Sequence, residues 1–271
     1  MNRKSKLLLI IGIIIVTAYI SPFLWMILTS FKGQQEIFQT PPTFLPNQWL
    51  LDGYRAVLDD GILINLRNSF IIGIGAAVLA VVLSVPCAYG LVKQNVKFKA
   101  FFIFMFLGSQ LLPATVLLTP LFLMFNSINI LDSLWAPIIA TSLAGIPFSV
   151  LMLRPFFAGI PKSLEEAASI DGATKMQTFT KIILPISSPS IAVCGAISFF
   201  FAWGDLIYSI TFNRNQNLWP MTAGIHNAIG RFGIQWNNLM AFATISSLPI
   251  IIIFILLQKQ IVAGLTGGAV K

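Results

Sequence analysis

Glu165-Glu166-Ala167-Ala168-Ser169-Ile170-Asp171-Gly172, followed later in the same segment by Leu184-Pro185, is a charged insert between two long apolar stretches. Its surroundings decide the fold. The 271 residues are 56% hydrophobic and only 10% charged, with a mean hydropathy of +0.85. Too few charged side chains are present to cover a water-soluble globule of that length, so the chain belongs in a bilayer. Charge-free runs extend from Leu7 to Leu28, Asn68 to Val92, Ala100 to Leu131, Ser133 to Leu153, Ile182 to Gly204 and Phe232 to Gln258. Each reaches the roughly 20 residues that a helix needs to cross hydrocarbon.

Working outward from the insert, the sequence predicts an all-α integral membrane protein with six transmembrane helices in a single unit over residues 1–271. The expected spans are 7–29, 68–92, 100–125, 133–153, 189–211 and 237–258. Between them lie an outer loop at 32–66, a cytoplasmic loop at 154–188, an outer segment at 212–235 and a cytoplasmic tail at 259–271. Spans three and four are separated only by a polar cluster around Asn126, Asn129 and Asp132, which predicts a helical hairpin. Pro113, Pro120, Pro137 and Pro147 predict that these two helices are broken or kinked.

Basic residues in short loops are retained on the cytoplasmic side, which places both termini there. Arg3, Lys4, Lys6, Lys93, Lys97, Lys99, Arg154, Lys162, Lys175, Lys181, Lys259 and Lys271 then fall inside. Lys32, Arg55, Arg67, Arg214 and Arg231 fall outside, beside Glu36, Asp52, Asp59, Asp60 and Asp132. The outer face is neutral, so the +8 net charge reports topology and requires no nucleic acid partner. The first run is too long for a secretory signal and lacks a small-x-small site; Trp25, Phe31 and Lys32 suit the outer end of a retained anchor. The stretch from Lys32 to Arg67, with Pro41, Pro42 and Pro46 and a short helix from Asp52 to Leu58, reads as a lid-like outer loop.

Cys87 and Cys194 lie inside predicted spans and have no CxxC spacing, so they read as small hydrophobes. His226 is the sole histidine and reads as a polar loop residue. No G-x-x-x-x-G-K-[ST] loop occurs, which removes that route to nucleotide binding.

Local rules build the insert as a helix-turn-helix. Ser163 is expected as N-cap, with Glu166 three residues later completing a capping box. Leu164, Ala167 and Ala168 are expected to share a face whose burial in a partner is worth about 2–4 kcal/mol. Small residues there permit close backbone approach. Gly172 should break the helix, and a second should start at Thr174 with Met176, Phe179, Ile182 and Ile183 on its apolar side. Pro185 should close that helix, and Pro189 should open the fifth span.

Glu166-Ala167-Ala168, Gly172, Ile182, Leu184 and Pro185 are similar, position by position, to the EAA loop of ABC importer membrane subunits, EAA-x3-G-x9-I-x-LP. The frequent Asp171-Gly172-Ala173 and Phe179 of that loop are also present. Phe201-Ala202-Trp203-Gly204-Asp205, Trp236-Asn237-Asn238-Leu239-Met240-Ala241 and the tail from Gln258 to Lys271 resemble the shorter permease of the maltose-transporter type of carbohydrate importer. Gly204 departs from the pattern, since many relatives carry Asn there.

The resemblance implies a type I ABC importer permease in a bacterial plasma membrane. It implies a second homologous permease, a dimer of ATPases, an extracytoplasmic solute-binding protein and a sugar as partners. ATP and magnesium would be held by the ATPase, and this chain would hold no cofactor, no metal and no catalytic residue. Glu165, Glu166, Ala167, Ala168, Asp171, Gly172, Ala173, Phe179, Leu184 and Pro185 would form the cytoplasmic coupling element, and the tail after Gly264 would reach the same interface. Asp205 is the one acidic residue inside the apolar pattern, as a structural or a pathway group; Trp203 and Tyr208 are pathway candidates beside it, with helix packing as their alternative role. Other readings are an ABC permease for a non-sugar solute and a secondary transporter; the latter predicts several intramembrane ionisable groups or inverted repeats. An intramembrane hydrolase would require a nucleophile with a base or a metal cluster, and the sequence offers neither.

Overall fold

The computed structural model describes residues 3–231 and 235–266, and among them it is built of helices and connecting turns. The helices are α1 (Arg3–Ser30), α2 (Gln34–Ile37), α3 (Asp52–Asp59), α4 (Ile62–Lys93), α5 (Lys99–Leu111), α6 (Ala114–Ser127) and α7 (Trp135–Gly159). They continue with α8 (Lys162–Ile170), α9 (Lys175–Thr178), α10 (Leu184–Trp203), α11 (Ile207–Phe212), α12 (Met221–Arg231) and α13 (Trp236–Thr266). Among the described residues, five helical stretches are long and apolar enough to cross a membrane, and the bent α5–α6 pair makes a sixth if it forms one span. The sixth expected charge-free run begins at 232–234, outside the described residues.

Two compact units emerge. One comprises the residues up to Leu63 with Gly224–Pro249, and the other comprises Ile64–Ala223 with the residues from Ile250 onward. In the first, the end of α1 is stitched to the loop after it. The buried Lys32 ammonium donates to the Thr43 carbonyl and lies 4.7 Å from the Trp25 ring centroid. The Glu36 carboxylate accepts from the Thr43 hydroxyl at 2.8 Å and the Asn47 amide at 2.9 Å. Ser30 and Tyr54 share a 2.7 Å hydrogen bond that ties α3 back to α1.

The second unit is organised around α4, α7 and α10. Val85, Ala88 and Leu91 of α4 pack with Val150, Leu153 and Phe157 of α7 and with Cys194 of α10. Close approach depends on small residues: a Cβ built on Gly145 of α7 would lie 2.9 Å from the Ser198 hydroxyl oxygen of α10. At the other end, Phe125 and Phe212 meet edge to face at 5.1 Å, joining α6 to α11.

Several expectations change, but the break in the third apolar stretch is one that its prolines predict: α5 and α6 meet at a 101° bend. Pro113 sits extended at φ −65°, ψ 142° as the N-cap of α6, where its missing N–H costs nothing. The fourth is unbroken from Trp135 to Gly159 with Pro147 and Pro155 inside it, and α4 starts at Ile62, six residues before the expected span. Pro185 does not close a helix. The chain runs helically from Lys175 to Trp203 through a π-turn over Phe179–Ile183, and Pro185 occupies the first turn of α10. A proline in a continuing helix clashes with the carbonyl four residues back, and the widened π-turn relieves the ladder at that point. Ser187 donates to the Ile183 carbonyl at 2.7 Å at the exit of this turn. His226 lies on α12 rather than in a loop.

Candidate functional site

Residues 160–185 form a compact spur on the second unit. α8 begins two residues earlier than a Ser163 cap requires. Pro161 is extended at φ −59°, ψ 136° and is itself the N-cap, its carbonyl accepting from the Leu164 amide at 3.3 Å. Ser163 is therefore inside the first turn, α8 has no side-chain cap, and the expected Ser163–Glu166 box does not form. The capping box belongs instead to α9, where the Thr174 amide donates to Gln177 Oε1 at 2.8 Å and the Gln177 amide donates to the Thr174 hydroxyl at 3.3 Å.

The C-terminus of α8 closes as a Schellman motif. The Ala173 amide donates to the Ala168 carbonyl at 2.9 Å and the Gly172 amide to the Ser169 carbonyl at 3.1 Å, with Gly172 at φ +79°. That left-handed conformation is the reason a glycine stands there. A tight turn of Gly172, Ala173 and Thr174 then joins the end of α8 to the capped start of α9.

The two sides of α8 differ from expectation. Ala168 is buried and faces the unit, so it does not belong to the outward surface with Leu164 and Ala167. The outward stripe is Leu164, Ala167 and Ile170, at helical spacing, with Ile170 86% exposed. Met176 of α9 is exposed, whereas Phe179 turns inward against Tyr89 at 4.8 Å between ring centroids and Ile183 is buried. Glu166 and Asp171 are exposed, while Glu165 points inward to Lys93 of α4 at 3.2 Å. Leu184 is half-buried and Pro185 exposed where the spur joins α10.

The second group of candidates sits where α10 ends. Asp205 Oδ1 accepts from the Tyr208 amide at 3.2 Å, and Oδ2 accepts from the Ser209 amide at 3.0 Å and the Ser209 hydroxyl at 2.9 Å. The carboxylate thus satisfies the orphan donors at the start of α11, and the dipole there favours its negative charge. The Asp205 carbonyl accepts from the Thr222 hydroxyl. Trp203 is buried between Phe70 and Phe199, with ring centroids at 5.1 and 5.3 Å. Tyr208 is buried and stacks on Phe212 at 5.7 Å. Trp203 and Tyr208 are thus held by ring packing, and Asp205 by the amides it caps.

Residues 80–267 match the model of the family described as the binding-protein-dependent transport system inner membrane component. The chain belongs to this family. Relatives include the probable ABC transporter permease protein YurM of Bacillus subtilis, 34% identical over 95% of this chain and 85% of that protein. The sulfoquinovosyl glycerol transport system permease protein SmoH of Agrobacterium fabrum is 32% identical over 92% of this chain and 88% of its own length. The trehalose/maltose transport system permease protein MalG of Thermococcus litoralis is 32% identical over 98% and 97%. In fold, a chain from a bacterial ABC transporter involved in the import of the acidic polysaccharide alginate superposes with a TM-score of 0.80 at 21% identity, covering 96% of this chain and 98% of that one. The protein is accordingly a multi-pass inner-membrane ABC permease, a transport subunit.

One residue of the permease's spur escaped the reading of its sequence. Lys93 is the last residue of α4 and reads from sequence as a topology charge, yet its ammonium is almost fully buried beneath α8. It ends a charge-free run of 25 residues, which is the only signal that sets it apart in the sequence.

Proposed function

We propose that this permease is the transmembrane subunit of an ATP-driven importer that moves a sugar into the cytoplasm, and that α8 couples it to a separate ATPase. The observation that carries the coupling is the outward stripe of Leu164, Ala167 and Ile170 on a short helix whose far end is fixed by the Gly172 turn. The stripe has no cover among the described residues, carries the small Ala167 at its centre for a close approach, and is flanked by the exposed Glu166 and Asp171. A rigid helix of that kind transmits a displacement instead of absorbing it, so nucleotide-driven closure of the ATPase becomes a change of access between the spans.

In this reading both termini and the spur are cytoplasmic. The partners are a second homologous permease, a dimer of ATPases that holds ATP and magnesium, and a binding protein that delivers solute from the other side. The systems served by the two relatives at 32% identity transport sulfoquinovosyl glycerol and trehalose/maltose, which supports a sugar or sugar-linked polyol as cargo.

Co-expression with the neighbouring transport genes, followed by uptake of a panel of labelled carbohydrates, tests the proposal. At least one sugar is expected to accumulate tenfold or more over cells lacking this chain, in an ATP-dependent manner. Accumulation driven by an ion gradient and unaffected by ATPase inactivation would contradict it.

A further inference from the structure

Covalent connection alone does not fix the direction of α8. Only Ile160 and Pro161 separate it from α7, and Asp171, Gly172, Ala173 and Thr174 separate it from α9; Ala168 is its one buried side chain. What closes the gap beneath it is Lys93. Its Nζ donates to the Ile160 carbonyl, at the C-terminus of α7, at 2.6 Å, and faces Glu165 Oε1 at 3.2 Å as an ion pair. The aligned hydrogen bond goes to the carbonyl and the charge contact to the carboxylate. One ammonium therefore joins the end of α4, the end of α7 and the first turns of α8. The Lys93 side chain is only 5% exposed, and the Glu165 side chain 24%. Tyr89 stands beside the same carboxylate one turn back on α4, and its ring is braced by Phe157 at 5.8 Å and Phe179 at 4.8 Å.

We infer that Lys93 is a positioning residue that routes displacement of α8 into α4, making the Lys93–Glu165 pair part of the coupling linkage. This rests on α8 being the coupling element. A buried ammonium that loses its counter-charge is left uncompensated in a poorly solvated site, so α8 cannot tilt away from α4 without a large penalty. With the pair intact, a push on α8 is carried by α4 as well as by α7 and α10. With the pair broken, the junction at Ile160 and Pro161 is free to absorb the push.

The test uses the assembled transporter in proteoliposomes, with its partner permease, ATPase and binding protein, and reads solute moved per ATP hydrolysed. Lys93→Met is expected to assemble and to lower that ratio at least fivefold, while Lys93→Arg, which keeps both contacts within reach, stays within twofold of the parent. Glu165→Gln retains the size of the side chain and the Lys93–Ile160 bond; it serves where Lys93→Met fails to assemble, and a similar fall in ratio is expected. An assembled Lys93→Met or Glu165→Gln transporter with a parental ratio overturns the inference, as does a Lys93→Arg transporter that loses the ratio equally. An Ala167→Cys cross-link to the ATPase in the parent background separates the two levels. Its absence sinks the coupling reading and this inference together; its presence with an unchanged ratio sinks this inference alone.

Discussion

Gly172→Val is expected to lower solute uptake tenfold or more while leaving membrane insertion and assembly near the parental level. The backbone is the cause. Gly172 sits at φ +79°, and a Cβ built there meets nothing within 4 Å, so the substitution fails through conformation and not through a clash. A side chain in the left-handed region costs about 1–2 kcal/mol, and more for a β-branched residue. A cost of that size shifts a local equilibrium by a factor of roughly 5–30. The two hydrogen bonds that the Gly172 and Ala173 amides donate to the last turn of α8 are what the shift breaks, and with them the fixed angle between α8 and α9. Gly172→Asn should remain within about threefold of the parent, because asparagine tolerates the left-handed region, and Gly172→Ala should fall between. Uptake of labelled solute, normalised to assembled complex, checks the series. An uptake order that follows side-chain volume and ignores φ tolerance, with asparagine as impaired as valine, would count against the turn as the cause.

Asp205→Ala should destabilise the permease by about 2–4 kcal/mol, the sum expected for a lost helix cap and half-buried donors left without an acceptor. Three donors lose their partner at once: the Tyr208 amide, the Ser209 amide and the Ser209 hydroxyl. The start of α11 then loosens, and with it the packing of Tyr208 and Phe212 against Phe125 and Leu121. Asp205→Asn keeps one acceptor oxygen and should fall midway. The midpoint of thermal loss of the detergent-solubilised complex reads this directly. If Asp205→Ala melts with the parent while its apparent affinity for solute collapses, the carboxylate is a solute contact and its cap geometry is secondary.

The apolar runs made the membrane helices legible, because a span of hydrocarbon imposes a length that no soluble core demands. Their ends were less legible. The run expected to start at Asn68 begins as a helix at Ile62, because a helix continues past its apolar stretch wherever neighbours satisfy its polar side chains: Asn65 and Asn68 donate to the Trp219 carbonyl at 2.9 and 3.1 Å. Within the spur, the Gly172 stop and the Thr174 start were readable from residue type. The Ser163 cap was not the right choice, since Pro161, with its fixed φ, takes the N-cap position and leaves Glu166 too deep in the helix to reach back. At Pro185 a general rule failed for a specific reason, because a π-turn lets the helix pass a proline that would otherwise end it. The Lys93–Glu165 pair spans 72 positions of sequence and obeys no local pattern; only the packing of α4 beneath α8 creates it. Asp205 was recognisable as a lone carboxylate, but that it caps α11 depends on the chain breaking at Gly204.

The most direct test of the account asks what covers the outward stripe of α8. With single cysteines at Ala167 or Ile170, and a second series across the ATPase surface, disulfide cross-linking is scored in membranes without nucleotide and with ATP. The account predicts rapid cross-links from both positions to one contiguous cleft of the ATPase in both states, none from the buried Ala168, and solute uptake that stops on oxidation and returns on reduction. Absence of any cross-link from Ala167 and Ile170 in an assembled transporter that still imports solute would contradict it.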